Sequence, residues 1–459
     1  MLFNSYAFLL VFLPAALLVV GVVDRHPRWR IPVLIALSLT FYGYWDPRYL
    51  ALIIPSILVN HLAARWYIHT KRGGIITAAI VANLAVLGAF KYSGFIAQNL
   101  AGLTGLSFPA LNVALPLGIS FFTFHHIMYL VDLRRGKAPA IPLGRYALYI
   151  CFFPQAIAGP LARWNEVVHQ FGGRVFADGW ERRWAVGIGF IIVGLIAKLL
   201  LADPLGRAVD PIYAHALTGP IDDGRSWMAL AFAFQVFFDF AGYSDIAIGL
   251  GLLLGVQLPR NFDAPFRTTS MIEFWQHWHM TLARFLRDYV FTPLSRARIG
   301  GSRQRWLRAL VAILLTMGLC GLWHGAGWNY VLWGFSQGVA IVVAAVWPRY
   351  LPSPPAVVGW AATVGFFLFS IVLFRSPTLE AAWRIYEGLA VLPSARVPGL
   401  RTFALAAFCA IALPASHVIV ARVTEAPRRT VAAAAALVSI AVLLEVGHTQ
   451  TYEFIYFQF

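Results

Sequence analysis

Charged residues are scarce in this sequence. Asp, Glu, Lys and Arg make up 12% of its 459 residues, about half the share that is usual in soluble domains. Hydrophobic residues make up 59%, and the mean hydropathy is +0.70. A soluble fold of this composition would lack the polar surface that keeps proteins in solution. These figures exclude a soluble enzyme, a disordered chain and a fibrous repeat, and they predict a membrane protein.

The sequence also lacks the period-two alternation of apolar and polar residues that a membrane β-barrel requires. Its apolar residues form long runs, and helices are the other structure that satisfies the backbone in lipid. We therefore predict an all-α polytopic membrane protein with one integral-membrane domain over 1–459. That domain comprises N-terminal helices (1–110), a catalytic core (111–347) and C-terminal helices (348–459). The predicted spans are 5–23, 31–46, 49–66, 75–92, 113–131, 184–202, 226–256, 306–323, 328–347, 357–375, 402–421 and 429–447.

Prolines interrupt the weaker pattern between 132 and 183. Pro154 and Pro160 fall in CFFPQAIAGP at 151–160, and proline does not fit inside a helix. We expect short or re-entrant helices there, and loops at 351–355 and 391–400. The first 23 residues have no basic start, so we expect an uncleaved first span rather than a signal peptide.

Cysteine is nearly absent. Cys151, Cys320 and Cys409 are the only three, and none forms a CxxC pair, which argues against a disulfide framework or a zinc site. Acidic residues number 20 against 36 basic ones, giving a net charge of +16. Because the basic residues lie in short loops between apolar runs, they indicate membrane orientation rather than nucleic-acid binding. The densest cluster has seven arginines within 284–308, and we expect this segment to face the cytoplasm.

Polar residues inside apolar segments are costly and therefore mark candidate sites. The segment 271–295 predicts an amphipathic helix, with His277 on its charged face and His279 at the edge of its aromatic face. On such a helix the two imidazoles diverge, so they do not form a metal site together, and we predict no metal. The pattern leaves open whether His279 is a functional residue or a satisfied core histidine.

A second candidate is GLCGLWHGAGWNYVLWG at 318–334. His324 lies there among glycines, which permit close approach of backbone or substrate, and beside tryptophans. Its imidazole titrates near neutral pH and suits general-base chemistry. An alternative is that the histidine marks a helix break at the membrane interface, and the sequence favours neither.

The third candidate is QVFFDFAGYSD at 235–245, a polar seam within an apolar span. It holds Asp239, Tyr243, Ser244 and Asp245. These residues could line a substrate channel, or they could form a structural network, for example with an arginine of 284–308. The second interpretation is the one favoured by the residues alone.

These motifs, taken in order, resemble the membrane-bound O-acyltransferase (MBOAT) family. The similarity runs through MLFNSYAFLLVFLP at the N-terminus, LPLGISFFTFHHIMYLVDLRRG at 115–136, FFPQAIAGPLAR at 152–163, DFAGYSDIAIGLGLLLG at 239–255, WHMTLARFLRDY at 278–289, GLWHGAGWN at 321–329 and FIYFQF at 454–459. The closer branch is that of alginate O-acetylation, which is related to teichoic-acid D-alanyl transfer.

This resemblance implies a ring of about 11–13 membrane helices around a funnel and an internal tunnel. It implies that His324 is the catalytic histidine and His279 the second family histidine. Arginine is usual in the family where this chain has His277, and the usual tryptophan near Val372 is missing. Candidate lining residues of the tunnel are Asp239, Tyr243, Ser244, Asp245, Trp275, Trp278, Trp323 and Asn329.

The chemistry implied is transfer of an acyl group from cytoplasmic acetyl-CoA, with no permanently bound cofactor. His324 would act as general base and His279 would orient a substrate or stabilise the oxyanion. Arg284 and Arg287 are candidates for binding the donor's phosphates. The resemblance further implies a bacterial inner-membrane location, an exported polysaccharide as acceptor, and an extracytoplasmic partner that completes the transfer.

Two alternatives remain at this stage. Within the family, the chain could transfer D-alanine or another acyl group from a carrier protein to a cell-envelope polymer. In a different class, it could be a transporter or flippase, although transporters commonly contain internal repeats and we find none.

Overall fold

The computed structural model describes residues 1–109, 115–221, 223–296, 302–393, 397–425, 429–446 and 453–455. These residues contain α-helices and no β-strand, as predicted. The helices of the N-terminal half are α1 (Leu13–Val23), α2 (Pro27–Gly43), α3 (Leu50–Thr70), α4 (Gly73–Thr104), α5 (Ile119–Arg134), α6 (Leu143–Cys151), α7 (Phe153–Ala156), α8 (Trp164–Val167), α9 (Trp180–Ile196) and α10 (Asp203–Thr218). Those that follow are α11 (Phe232–Leu253), α12 (Met271–His277), α13 (Met280–Leu286), α14 (Thr292–Ser295), α15 (Ser302–His324), α16 (Trp328–Val346), α17 (Ala356–Arg375), α18 (Leu379–Gly388), α19 (Leu400–Ala412), α20 (Ser416–Glu425) and α21 (Arg429–Glu445).

Seven helical stretches of the described residues are long and apolar enough to cross a membrane, which confirms the polytopic class. They are Pro47–Thr70, Gly73–Thr104, Trp180–Thr218, Arg225–Leu253, Gln304–His324, Trp328–Arg349 and Ala356–Arg375. An eighth crossing results if α19 and α20 count as one span. The number of about 11–13 crossings, with the ring, funnel and tunnel, stays a prediction.

The predicted continuous span at 402–421 is wrong in one respect. Helices α19 and α20 meet at a 70° bend. The intervening sequence includes Pro414, and a proline there removes a backbone donor and disfavours helix in the residue before it. The stretch is therefore a broken span or a re-entrant loop.

Short helices occupy the proline-containing region after α5, as predicted. Helices α6, α7 and α8 are 9, 4 and 4 residues long. Pro154 lies in the first turn of α7, where its missing N–H costs no hydrogen bond. The short elements thus follow from the position of the proline.

The chain forms two compact units. The first contains Met1–Leu195, Tyr243–Arg260 and His417–Phe457. Its core includes a cluster of phenylalanine rings from the π-helical segment Ala7–Phe12, α2 and α7, in which the centroids of Phe8, Phe12, Phe41 and Phe153 lie 5.3–6.3 Å apart. The prediction of one domain with three subdivisions stays a prediction.

Among the described residues, the second unit contains those of Ile196–Gly242 and Asn261–Ser416. Helices α15 and α16 form its most closely packed pair. Gly321 and Gly334 face each other there, and a Cβ on either would collide with the backbone of the other helix. Small residues of this kind let membrane helices approach closely. The contact therefore positions His324, at the end of α15, against Trp333 of α16.

Five predictions fall partly outside the described residues. They concern the start of the span at 113–131, Arg298 of the arginine cluster, the middle of the loop at 391–400, the end of the span at 429–447, and the end of the FIYFQF motif.

Candidate active site

His279 lies at a break between two helices rather than within one. Helix α12 ends at His277 and α13 begins at Met280, so the predicted continuous amphipathic helix over 271–295 is wrong. The break is held by the loop that follows Arg260. Met280 N donates to Asn261 O at 2.8 Å, and Asp263 N donates to His277 O at 3.0 Å. These bonds replace those of a continuous helix.

The backbone of His279 is left-handed, with φ of +42°. This region is sterically unfavourable for a residue with a Cβ, and such strain concentrates at functional sites. The side chain is 1% exposed. The break therefore turns one imidazole into the interior at a cost in backbone energy, which favours the functional interpretation over that of an ordinary core histidine.

The Asn261 side chain fixes the tautomer of His279. Asn261 Oδ1 lies 3.0 Å from His279 Nδ1, 2.8 Å from Thr281 Oγ1 and 3.3 Å from Thr281 N. Because the Thr281 N–H can only donate, the atom of Asn261 here is the accepting oxygen, and His279 Nδ1–H donates to it. In the neutral imidazole the lone pair then belongs to Nε2.

Burial also keeps this imidazole uncharged. The segment from α12 to α13 lies outside the membrane-crossing stretches given above, and desolvation lowers the pKa of His279 to about 3. Phe240 covers one side, with its ring centroid 4.6 Å from that of His279. His279 is therefore a neutral hydrogen-bond acceptor at neutral pH.

His277 has a different environment. Its Nδ1 donates to the carbonyl oxygen of Asp263 at 2.6 Å, and the residue is half-buried. This hydrogen bond anchors the loop that holds the helix break. The two histidines thus differ in burial and in hydrogen-bond partner, and the helix on which the sequence placed them is interrupted between them.

His324 ends α15 and is enclosed by aromatic rings. Its side chain is 4% exposed. Ring centroids of Trp323, Phe374 and Trp333 lie 4.6, 5.0 and 5.3 Å from that of the imidazole. Trp323 also lies 6.5 Å from His279, centroid to centroid. The two histidines of the sequence motifs therefore share one buried neighbour.

Two buried indole N–H groups lie beside these rings. Trp333 and Trp275 are 2% and 7% exposed, and their ring centroids are 6.2 Å apart. Neither Nε1 has a hydrogen-bond acceptor among the described residues. Buried donors are normally satisfied, so both N–H groups are suited to a bound substrate.

Asp239 belongs to a buried ion cluster. Lys198 Nζ lies 2.7 Å from Asp239 Oδ1 and 2.9 Å from Asp203 Oδ1, and all three side chains are at most 3% exposed. Lys198 is the second residue of a π-helical segment, Ala197–Ala202. Asp239 thus has an ionic partner in Lys198, as a structural network within the span would require, whereas its role in catalysis or scaffolding stays a prediction.

The other residues of the polar seam belong to the first unit. The Tyr243 ring lies between Phe3 and Phe454, at centroid distances of 4.9 and 4.8 Å. Ser244 and Asp245 are buried, with 2% and 8% exposure. The structure thus gives Tyr243 the surroundings of a core aromatic residue.

Two further candidates serve as packing contacts. The Trp278 ring stacks on Phe274 at 5.5 Å and contacts Phe367 at 4.9 Å. The Asn329 amide donates to the carbonyl oxygens of Ser376 at 2.8 Å and Leu373 at 3.4 Å. The Trp278 contact packs the end of α12 against α17, and the Asn329 hydrogen bonds tie α16 to the C-terminal end of α17. These contacts fix the helices whose side chains surround His324.

Arg284 and Arg287 follow His279 on α13 and the next turn. Arg284 is half-buried and Arg287 is exposed. Arg287 Nε lies 2.9 Å from Asp288 Oδ1. Within the described ranges, no three His, Cys, Asp or Glu side chains are grouped so that they could hold a metal ion.

Sequence reasoning missed Asn261, Lys198, Trp333 and Phe374. Lys198 carried a signal, because it is a charged residue inside an apolar run. Trp333 lies nine residues after His324 with nothing in the spacing that relates them. Asn261 and Phe374 are distant in sequence from the histidines they surround, so only the fold brings them there.

Comparison with known proteins agrees with these motifs. Residues 133–379 match the MBOAT, membrane-bound O-acyltransferase family. The chain is 31% identical to a peptidoglycan O-acetyltransferase of Helicobacter pylori over 85% of this chain and 80% of that protein. It is 34% identical to the probable alginate O-acetylase AlgI of Azotobacter vinelandii, over 85% of this chain and 78% of that protein. A teichoic acid D-alanyltransferase of Streptococcus thermophilus is 31% identical over 51% of this chain and 57% of that protein.

The helices, the buried histidines of the two motifs and the extent of these matches lead to one assignment. The chain belongs to the membrane-bound O-acyltransferase family and is a multi-pass membrane O-acyltransferase.

Proposed function

We propose that the chain transfers acetyl from acetyl-CoA to a hydroxyl group, with His324 as the general base. The observation that carries this proposal is the pair of motif histidines, both buried and both against Trp323. A dry aromatic enclosure suits acyl transfer, since water would otherwise compete for the thioester.

In the proposed reaction, His324 removes the proton of the acceptor hydroxyl as its oxygen attacks the thioester carbonyl carbon. The carbon–sulfur bond then breaks, and the protonated imidazole returns the proton to the leaving thiolate. General-base catalysis of this kind contributes about 10²–10⁴-fold to the rate. No other proton carrier is needed, because the proton taken from the hydroxyl ends on the thiol.

We assign His279 the role of orienting the acceptor. Its Nδ1–H is committed to Asn261, so Nε2 accepts a hydrogen bond and suits a substrate hydroxyl. A neutral accepting nitrogen would repel an oxyanion, which leaves that charge to other groups. The unsatisfied N–H groups of Trp333 and Trp275 are the donors available for it.

The donor's charge suggests a role for the arginines that follow. Arg284 and Arg287 are proposed to attract the phosphates of acetyl-CoA near the start of the arginine-rich segment 284–308. Arg287 already carries a carboxylate partner, Asp288, at an exposed position, where ion pairs are weak. A phosphate could therefore displace that carboxylate.

We propose that the chain lies in the bacterial inner membrane, that the acceptor is an exported polysaccharide, and that an extracytoplasmic partner completes the transfer. Relatives named for alginate and peptidoglycan O-acetylation support acetyl as the transferred group and a polysaccharide as the acceptor. The relative named for D-alanyl transfer gives the alternative donor to be tested.

The experiment follows radiolabelled acetyl from acetyl-CoA with purified protein in nanodiscs. The variant is His324→Ala, and the matched control is His169→Ala, which removes an exposed imidazole. We expect label transfer in the wild type and the control and its loss in folded His324→Ala. Full transfer by His324→Ala would refute the general base. If no protein moves label, an aminoacylated carrier replaces acetyl-CoA as donor.

The partner is tested with the same preparation and the isolated polysaccharide. We expect acetylation of the polymer only when a second, extracytoplasmic protein is added. Complete polymer acetylation by this chain alone would contradict the need for a partner.

A further inference from the structure

The first unit contains a pocket of about 760 Å³ between α9, the end of α11 and α20. This volume is within the range of about 300–1,000 Å³ that is typical of ligand sites. Three arginines line it, Arg182, Arg183 and Arg260, against one carboxylate, that of Glu425. Its charge therefore favours an anion.

The arginines differ in how firmly they are held. Arg183 Nε donates to Leu252 O at 3.0 Å, and its guanidinium also bonds to Val175 O, so this side chain is fixed by the backbone. Arg182 lies 3.6 Å from Glu425, and these two side chains are 72% and 61% exposed. Arg260 is exposed and has no ion pair or hydrogen bond within the part of the chain that the structure describes. Arg182 and Arg260 are thus able to bind a ligand.

The polar and apolar parts of the lining are separated along the helices. Arg182 is in the first turn of α9, Arg260 follows the end of α11, and Glu425 ends α20. Further along the helices the lining is mainly apolar, with Val186, Phe190, Ile248 and Val420, and it includes one imidazole, that of His417. A ligand that matches this arrangement has an anionic head and a hydrocarbon chain.

Tryptophans mark the same end of α9 as a membrane–water boundary. Trp180 and Trp184 pack on Phe176 at centroid distances of 5.1 and 5.6 Å. Trp184 Nε1 donates to Leu253 O, at the end of α11, at 3.1 Å. Tryptophan is enriched at the level of lipid headgroups. The arginine end of the pocket therefore lies where phosphodiesters of the bilayer are found.

We propose that this pocket binds an anionic glycerophospholipid. The phosphate lies between Arg182 and Arg260, and one acyl chain runs along Phe190 and Ile248. Basic pockets between membrane helices recognise lipid phosphates in this way, and arginine pairs with them through several charge-assisted hydrogen bonds. This site is independent of the proposed acyl transfer, because no residue of that reaction lines it.

The test measures lipid binding by native mass spectrometry and by thermal unfolding of the full chain in detergent. Phosphatidylglycerol and phosphatidylcholine with the same acyl chains are compared, and soluble glycerol 3-phosphate is the third arm. We expect phosphatidylglycerol to remain bound and to raise the unfolding temperature more than phosphatidylcholine. Equal protection by glycerol 3-phosphate would show a site for soluble anions and overturn the lipid assignment.

Variants test the two halves of the site. Arg182→Gln with Arg260→Gln should weaken phosphatidylglycerol binding about 30-fold, since each interfacial arginine contributes a factor of about 5. Arg225→Gln is the control, because Arg225 is only half-buried, pairs with Asp223 and precedes the opposite end of α11. Val186→Phe, which narrows the apolar part, should weaken lipid binding with all charges kept. An unchanged phosphatidylglycerol preference in the double arginine variant would refute the proposal.

Discussion

The tautomer of His279 depends on one neutral amide, that of Asn261. Asn261→Asp would place a carboxylate against Nδ1–H, and a neighbouring negative charge raises the pKa of an imidazole. In the variant, His279 would gain a proton as the pH falls through the raised pKa, and Nε2 would cease to accept. We therefore expect transfer by Asn261→Asp to decline on the acid side at a higher pH than transfer by the wild type.

The measurement is the rate of acyl transfer between about pH 5 and 8, where a perturbed imidazole titrates. The wild-type His279 stays neutral over this range, since its pKa is lowered to about 3. Asn261→Ala serves as the comparison, because it removes the hydrogen bond without adding charge, and its rate should fall without a shift of the profile. Superimposable profiles for all three proteins would contradict the role given to Asn261.

Trp333 offers a second test at single-residue scale. Trp333→Phe keeps an aromatic ring against His324 and Phe374 and removes the buried N–H. Loss of one oxyanion donor typically costs about 10²–10³ in rate. We expect a fall of that order in kcat with a smaller change in KM. Trp383→Phe, at a 64% exposed position, should retain full activity; an equal loss in both variants would refute the donor assignment.

Among the helices, the buried ion cluster joins the π-helical segment before α10 to α11. Lys198→Met would leave two buried carboxylates without a cation, and breaking a buried pair in this way costs about 3–5 kcal/mol. We expect a large drop in the unfolding temperature measured in detergent. A triple variant that combines Lys198→Met with Asp203→Asn and Asp239→Asn should recover most of the lost stability, because no unpaired charge remains. Equal stability of the single and triple variants would show that charge is not the cause.

The helical hairpin of α15 and α16 makes a separate prediction. Gly321→Ala adds a methyl group where the Tyr330 carbonyl and Gly334 leave no space. Overpacking of this kind costs about 1–3 kcal/mol, and the shift would separate Trp333 from His324. We expect lower activity and a lower unfolding temperature. Gly365→Ala in α17 is the matched control, since no atom lies within 4 Å of its added Cβ, and it should be neutral in both assays.

The helix break at His279 shows why the elements could be predicted only in part. The apolar period over 271–295 correctly placed Trp275, Phe285 and Leu286 in the interior. It could not reveal that the 261–263 loop supplies hydrogen bonds to His277 and Met280. Periodicity reports local preference, whereas this break depends on residues more than ten positions away. The same limitation hid Phe374, which reaches His324 from another helix.

For the whole molecule, composition was sufficient for the class and insufficient for the number of crossings. Helix α5 is apolar, yet all its residues except Val131 and Arg134 are buried in protein. Lipid and a protein interior favour the same side chains, so hydropathy does not distinguish a short core helix from a span. The motifs were more informative, because they occur in order along most of the chain.

The orientation of the molecule in the membrane is open to a direct test. The segment 284–308 is predicted to be cytoplasmic, since arginine-rich loops are retained on that side. Arg296 is exposed and suits a reporter. In a background with Cys409→Ser, where the remaining cysteines are buried, Arg296→Cys should react with a membrane-impermeant maleimide in inverted vesicles and not in intact cells. Reaction in intact cells would put Arg284 and Arg287 on the side that lacks acetyl-CoA, and a different surface would then have to receive the donor.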